Sequence, residues 1–280
     1  MKRSKIIILI VIVLAIFILP KAPFSNKEAL FRIEKGEGSR EISLNLQRQG
    51  FIWWSPLFRL YVLTSLMSGS LQAGTYKLSP SMSMPHMASK FVRGDIAKAM
   101  VTIPEGFTSE QILQKLQELL SGLLSGSDPA SLTELEKHEG YLFPDTYEIT
   151  YGLELEKVIA MMKDNFDKKT AGLEITPNVV IMASLLEKEL QTKEDKKIAA
   201  GILWKRLRAG MPLQVDASMW TYENRGLPEK PISNPGLQSL EAALHPQTSQ
   251  YWYYLSAPDG QTIFSKTLEE HNLAKAKYLK

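Results

Sequence analysis

Apolar residues first run together along this chain and then space out. From Ile6 to Leu19 they are uninterrupted, with Lys2, Arg3 and Lys5 ahead of them and Lys21 behind. A run of about 14 residues falls short of the roughly 17–25 of a membrane span and overlaps the apolar stretch of a signal peptide. Its Ile/Val-rich composition, and an LPKAP ending without a small-x-small cleavage site, favour a retained anchor over residues 1–24. A cleaved signal and a buried core helix are the alternatives. Lys21 can snorkel and extend the span toward Phe24. The positive flank precedes the run, so the expected single-pass topology leaves Ser25 onward outside the cytoplasm.

After the run, periodicity takes over. A strand is expected from Leu30 to Ile33, then a helix from about Ser39, with Ser39 as N-cap and Gly50 at its C-terminal end. A second helix begins near Ser55 with Pro56 in its first turn. LQAGTYKLSP reads as a strand and SMPHMASKFVRGD as a helix ending at Gly94. Strand, helix, helix and strand make a small module over residues 28–97, either a spacer or a glycan-binding unit. A larger domain is expected over 98–280. It starts with a strand and a Pro-Glu-Gly turn, then a helix capped by Thr108 or Ser109, with Ile112, Leu113, Leu116 and Leu119 as its stripe. A loop-rich stretch runs to Ile149. Helices follow at Leu155–Phe166, Pro177–Leu190 and Lys193–Ala209. Beyond Gly210 come loops and short strands, with a hairpin turning at Pro258, Asp259 and Gly260, and the fold class is α+β.

Composition adjusts this picture in a few places. The 280 residues suit two domains. With 44% hydrophobic and 22% charged residues the chain is globular. A net charge of +3, with acids mixed among the bases, carries no basic stripe, so no nucleic acid partner is expected. The chain contains no cysteine, which removes disulfides, thiolate metal sites and cysteine nucleophiles. His86, His138, His245 and His271 lie far apart without ligand spacing, so neither a metal nor a cofactor is expected. Phosphate-loop, dinucleotide and GxSxG patterns are absent. Tyr251 to Tyr254 reads as a buried strand more readily than as a sugar platform.

Carboxylates carry the remaining chemistry. In NVVIMASLLEKELQ, Val180, Met182, Ala183, Leu186 and Leu190 can form one buried helix face. Glu187 and Glu189 are two apart and point to different flanks, so at most one faces a given cleft. Glu187 stacks over the small Ala183 and Ser184, where a bulky ligand can approach, and so reads as an acid beside a groove or as a solvated helix edge.

EGYLFPDTY, LEKEL, GMPLQVDAS, GLPEKPISNPG, EAALHP and IFSKTLEEHN, in that order behind the apolar run and LQAGTYKL, resemble the endolytic murein transglycosylase family of bacterial cell envelopes. The resemblance covers nearly the whole chain. It implies a cell-membrane anchor, a LysM-like module, and a domain that cuts peptidoglycan glycan strands near their synthases. The family's A-S-hydrophobic-hydrophobic-E-K-E motif matches Ala183 to Glu189 and places the catalytic role on Glu187. Such an acid must be neutral to protonate the leaving oxygen, and Met182, Leu186 and Leu190 can supply an apolar wall for it. A transglycosylase needs one carboxylate; a muramidase that admits water needs two, with Asp216 or Glu189 as the second. The third alternative is a non-catalytic glycan-binding scaffold. Gln214, Asp216, Asn234, Glu139, Asp145 and Tyr147 match motif positions and can bind glycan hydroxyls and acetamido groups. Each has a structural alternative: Asp145 and Asn234 can fix turns, His245 can cap a helix, and Ser265, His271 and Asn272 can tie down the last helix. The chain departs from the resemblance in a short ASMWTYENR segment between LQVD and GLPEKP, in Thr262 where histidine is common, and in Ala217 where proline is usual.

Overall fold

The computed structural model describes residues 19–119 and 129–279. All but the last residue of the apolar run lies outside them, and among the described residues no helix is long and apolar enough to cross a membrane. The chain divides into two compact units. One holds the described residues up to Ala99 together with Glu148–Leu153; the other holds Met100–Tyr147 and Glu154 onward.

In the first unit, β1 (Ala29–Ile33) pairs antiparallel with β2 (Gly74–Leu78), placing Ala29 opposite Leu78 and Ile33 opposite Gly74. Between the strands lie α1 (Ser39–Arg48) and α2 (Ser55–Thr64), and α3 (Met84–Arg93) follows β2. Ser39 is the first helical residue of α1 and not its cap; extended Gly38 precedes it, with no side chain to offer. Ser83 caps α3, which ends at Gly94 in the left-handed region at φ 65°. The strands and helices close over an aromatic centre in which Phe31 meets Phe51 and Tyr76 meets Phe91 edge to face, at centroid distances of 5.8 and 4.8 Å.

Strand β3 (Lys98–Thr102) pairs with β4 (Thr146–Thr150). The second unit continues with α4 (Ser109–Leu119), α5 (Pro129–Glu136), α6 (Leu155–Lys169), α7 (Pro177–Glu189), α8 (Lys193–Arg208), α9 (Trp220–Glu223) and α10 (Leu237–Leu244). It closes with the hairpin β5 (Tyr253–Ser256) and β6 (Thr262–Ser265) and with α11 (Leu268–Tyr278). Thr108 and Gln111 form a reciprocal capping box at α4, and Thr176, Thr192 and Thr267 cap α7, α8 and α11. The expected loop stretch before Ile149 contains α5 and β4. The loops expected beyond Gly210 are interrupted by α9 and α10, the latter opening at Gly236 without a side-chain cap. β5 begins only at Tyr253, and Tyr251 to Tyr254 are half-buried instead of forming a buried strand.

Helix α7 organises this unit. Every residue from Val179 to Leu186 is buried, where sequence periodicity suggests a single buried face. A helix apolar all round is a central one, and α8 and α10 pack on it. Phe143, Phe166, Val180, Met182, Leu186, Leu203 and Leu240 belong to the resulting core.

Candidate functional site

The two glutamates at the end of α7 meet different surroundings. The Glu187 side chain is 7% exposed, and its carboxylate accepts from Lys196 Nζ at 2.8 Å, from the Gly236 N–H at 2.9 Å and from Ser239 Oγ at 2.8 Å. Lys196 is itself only 3% exposed. The groove expected beside Ala183 and Ser184 is filled by the chain's own segment. The Ile232 N–H donates to Ser184 Oγ at 3.1 Å, and Ser233 Oγ donates to the Ser184 carbonyl at 3.3 Å. Small residues are needed there because that segment packs against them. Met182, Leu186 and Leu190 belong to the core, and the carboxylate's own partners are polar donors, not the apolar wall expected. Glu105, from the Pro-Glu-Gly turn, completes this cluster. A Cβ on Gly236 would collide with its carboxylate, and loss of hydration together with the Glu187 charge pushes the Glu105 carboxyl above its usual range, Lys196 opposing.

Glu189 opens instead on a pocket of about 180 Å³, walled by α8, the Gln214–Tyr222 stretch, β5 and α11. Its Oε1 accepts from the Ala217 N–H at 2.7 Å. Loss of hydration pushes the Glu189 carboxyl above the ordinary range; the Ala217 N–H opposes this and the Asp216 charge adds to it. Asp216 accepts a hydrogen bond from the Tyr222 hydroxyl, whose pKa burial and Asp216 push up to about 12. Buried Arg206 is fixed by donating Nε to the Trp252 carbonyl at 2.9 Å and a guanidinium nitrogen to the Leu213 carbonyl at 2.7 Å. It also lies over the Tyr253 ring at 4.9 Å, a stationary positive charge in the wall. Gln214 sits in the left-handed region at φ 54°, a strained backbone of the kind found where a side chain is aimed at a ligand.

Two buried atoms of the lining, the Tyr254 hydroxyl and His271 Nδ1, have no hydrogen-bond partner among the described residues. Such groups are uncommon, and both belong to residues that line the pocket. Burial, Lys275 and Arg206 push the His271 imidazole below its usual range, with Asp216 opposing. A carboxyl with raised affinity for its proton, a second carboxylate and unpaired polar groups facing one cavity suit proton transfer to a polar substrate. Among the described residues no cluster of three or more His, Asp or Glu is placed to hold a metal ion.

Of the residues matched by sequence, Gln214 and Asp216 reach this pocket; Asn234, Asp145 and Tyr147 are bonded within the scaffold, and Glu139, bonded there too, also lines a second concavity. Asn234 is fully buried: Oδ1 accepts from the Gly140 and Leu142 N–H groups at 2.8 and 2.9 Å, and Nδ2 donates to the Phe107 carbonyl at 3.0 Å and to Glu139 Oε1 at 2.8 Å. Its hydrogen-bonding capacity is used up. The other Glu139 oxygen accepts from the Ser109 N–H at 2.9 Å. Asp145 accepts from Asn165 at 3.0 Å and the Thr146 N–H at 2.8 Å and faces Lys169 at 3.3 Å; these partners, Asn165 foremost, hold its carboxyl below the usual range. Buried Tyr147 donates to the Phe143 carbonyl at 2.5 Å. His271 stacks on Tyr253 at 5.2 Å, tying α11 down while also lining the pocket, and His245 is the C-cap residue of α10. Arg206, Tyr222 and Tyr254 were not legible beforehand. In sequence, Arg206 is one of several bases ending α8, and Tyr254 one aromatic in a run.

The model of the YceG-like family matches residues 31–220 and 219–277. A protein of Bacillus subtilis named endolytic murein transglycosylase is 32% identical, over 88% of this chain and 84% of its own length. A protein of the same name from Streptococcus pneumoniae is 26% identical over 94% of this chain, which spans 60% of that relative. The crystal structure of a putative YceG-like protein from Listeria monocytogenes, 29% identical, aligns over 90% of this chain and all of its own with a TM-score of 0.55.

Proposed function

The chain belongs to the YceG-like family, and on that premise we propose that it is an endolytic murein transglycosylase whose acid is Glu189. The observation that carries the assignment is the placement of Glu189: it opens on the polar pocket with its proton affinity raised, while Glu187 is closed in by Lys196, Gly236 and Ser239. In the reaction, the Glu189 carboxyl donates its proton to the oxygen joining N-acetylmuramic acid to the next sugar. The bond from the anomeric carbon to that oxygen breaks. The Glu189 carboxylate then takes the proton of the muramic acid's own primary hydroxyl, whose oxygen bonds to the anomeric carbon and closes an anhydro ring. No water is consumed, and Glu189 ends as it began. Asp216 supplies negative charge opposite the cationic transition state. Gln214, on the pocket lining, is placed for hydroxyl and acetamido groups.

Three further parts of the reading rest on sequence. The run from Ile6 to Leu19 is a single-pass anchor, the domain works outside the cytoplasm, and the first unit is a LysM-like module serving strands made by nearby synthases. Amino-terminal sequencing of the native protein tests the anchor, since a cleaved leader would remove the run. The central test mixes wild type, Glu189→Gln and Glu187→Gln with uncrosslinked glycan strands and identifies new ends by mass spectrometry. Anhydro-muramic ends are expected from the wild type and are lost with Glu189→Gln. Full activity in Glu189→Gln would overturn the assignment. Asp216, on the same pocket, favours one alternative: reducing ends would identify a muramidase using it as the second carboxylate.

A further inference from the structure

A second concavity of about 430 Å³ lies in the same unit, floored by Trp220, Pro228, Pro231 and Ile232 and rimmed by Glu136, Glu229 and Lys230. Trp220 is 38% exposed. Glu139 lines the groove as well, and the Lys230 ammonium nearby opposes the rise that burial gives its carboxyl. An open aromatic face beside prolines, edged by carboxylates and an ammonium, matches the two-sided chemistry of a sugar ring, which has apolar C–H faces and a hydroxyl perimeter.

The segment that presents Trp220 also builds the Glu189 pocket. Thr221 is fully buried, and its Oγ1 accepts from the Val215 N–H at 2.8 Å and donates to the Ser218 carbonyl at 2.7 Å; the Gln214 N–H donates to the Thr221 carbonyl at 3.0 Å. Thr221 therefore pins the stretch. On one side of it Tyr222 bonds Asp216 in the Glu189 pocket, and on the other Trp220 lines the second groove, with Ser218 beside it. The two concavities therefore draw lining residues from one stretch, Gln214–Tyr222, tied together at Thr221. A ring carried on a fixed backbone costs less ordering on binding than one on a mobile loop.

We infer that this groove is a distal subsite for the same glycan strand, with Trp220 stacking on a sugar removed from the bond that is cut. The inference rests on the glycan-cleaving reading above and adds where a long strand is held. The test uses the full chain in detergent and compares wild type, Trp220→Phe and Trp220→Ala on long uncrosslinked strands and on a short oligosaccharide that fills only the Glu189 pocket. The expected result is that Trp220→Ala lowers the ratio of long-strand to short-substrate kcat/KM about three- to tenfold, and that Trp220→Phe restores most of it. An unchanged ratio, or equal losses on both substrates, would overturn the subsite and leave Trp220 a support for the Asp216 loop. Strand affinity is measured in parallel in a Glu189→Gln background. If the wild type cleaves nothing, the activity reading fails on its own, and that affinity, weakened by Trp220→Ala or not, still decides the subsite.

Discussion

Residues two apart in LEKEL have opposite fates, and their variants are expected to differ accordingly. Glu189→Gln keeps shape and removes a transferable proton, so turnover is expected to drop roughly 100- to 10,000-fold while the melting temperature stays close to that of the wild type. Glu187→Gln removes the carboxylate that buried Lys196 bonds, leaving Glu105 as the negative charge nearby. Breaking such a pair typically costs about 3–5 kcal/mol, so the expected result is a large loss in thermal stability, with the folded fraction still cleaving. Calorimetry and specific activity on the same samples separate the two outcomes. The acid must be protonated before the first step, so kcat/KM falls as pH rises through the Glu189 pKa, which lies above that of an ordinary glutamate. Asp216 contributes to that elevation. Asp216→Asn removes its charge and lowers the Glu189 pKa, so the alkaline fall in activity moves to lower pH. A limb that stayed in place would show that Asp216 does not act on Glu189 through its charge.

At the scale of elements, α7 is held by burial on all sides and by short polar ties. Leu186→Ala is expected to cost about 2–5 kcal/mol, since it empties a fully buried site, and chemical denaturation would register it. Asn234→Ala leaves the Gly140 and Leu142 N–H groups buried and unpaired at about 1–3 kcal/mol each, and the EGYLFPDTY segment should then exchange its amide hydrogens sooner than α8. Elements with a local signal were legible in advance. Thr176 and Pro177 open α7, Thr192 opens α8, and Gly94 ends α3. Helix α10 was not, because its opening glycine offers no cap and its eight residues are too few to hold a helix without the core beneath them.

At the scale of the molecule, the residues of the Glu189 pocket come from α7, α8, the Gln214–Tyr222 loop, β5 and α11, all within the second unit. A chain lacking the module up to Ala97 is therefore expected to keep cleaving short soluble oligosaccharides, whatever it loses on whole cell-wall strands. A deletion variant with native circular dichroism and no activity on those oligosaccharides would contradict this. The chain passes from the first unit to the second after Ala99, and Glu148–Leu153 return to the first, an interleaving that periodicity alone gives no reason to expect.

What the sequence determined by itself is what depends on near neighbours: the helices with a strong local start signal, such as α7 and α8, the restriction to carboxylate chemistry in a chain without cysteine, and the flanks to which two glutamates two apart must point. Helical spacing and side-chain chemistry suffice for these. The difference between the surroundings of the two glutamates emerges only in the tertiary structure. Small residues under Glu187 look like room for a ligand until Ile232 and Ser233, far along the chain, are seen to occupy it. Burial and the neighbourhood of charges set a carboxyl's readiness to hold a proton, and both arise from segments that meet only when the chain is folded.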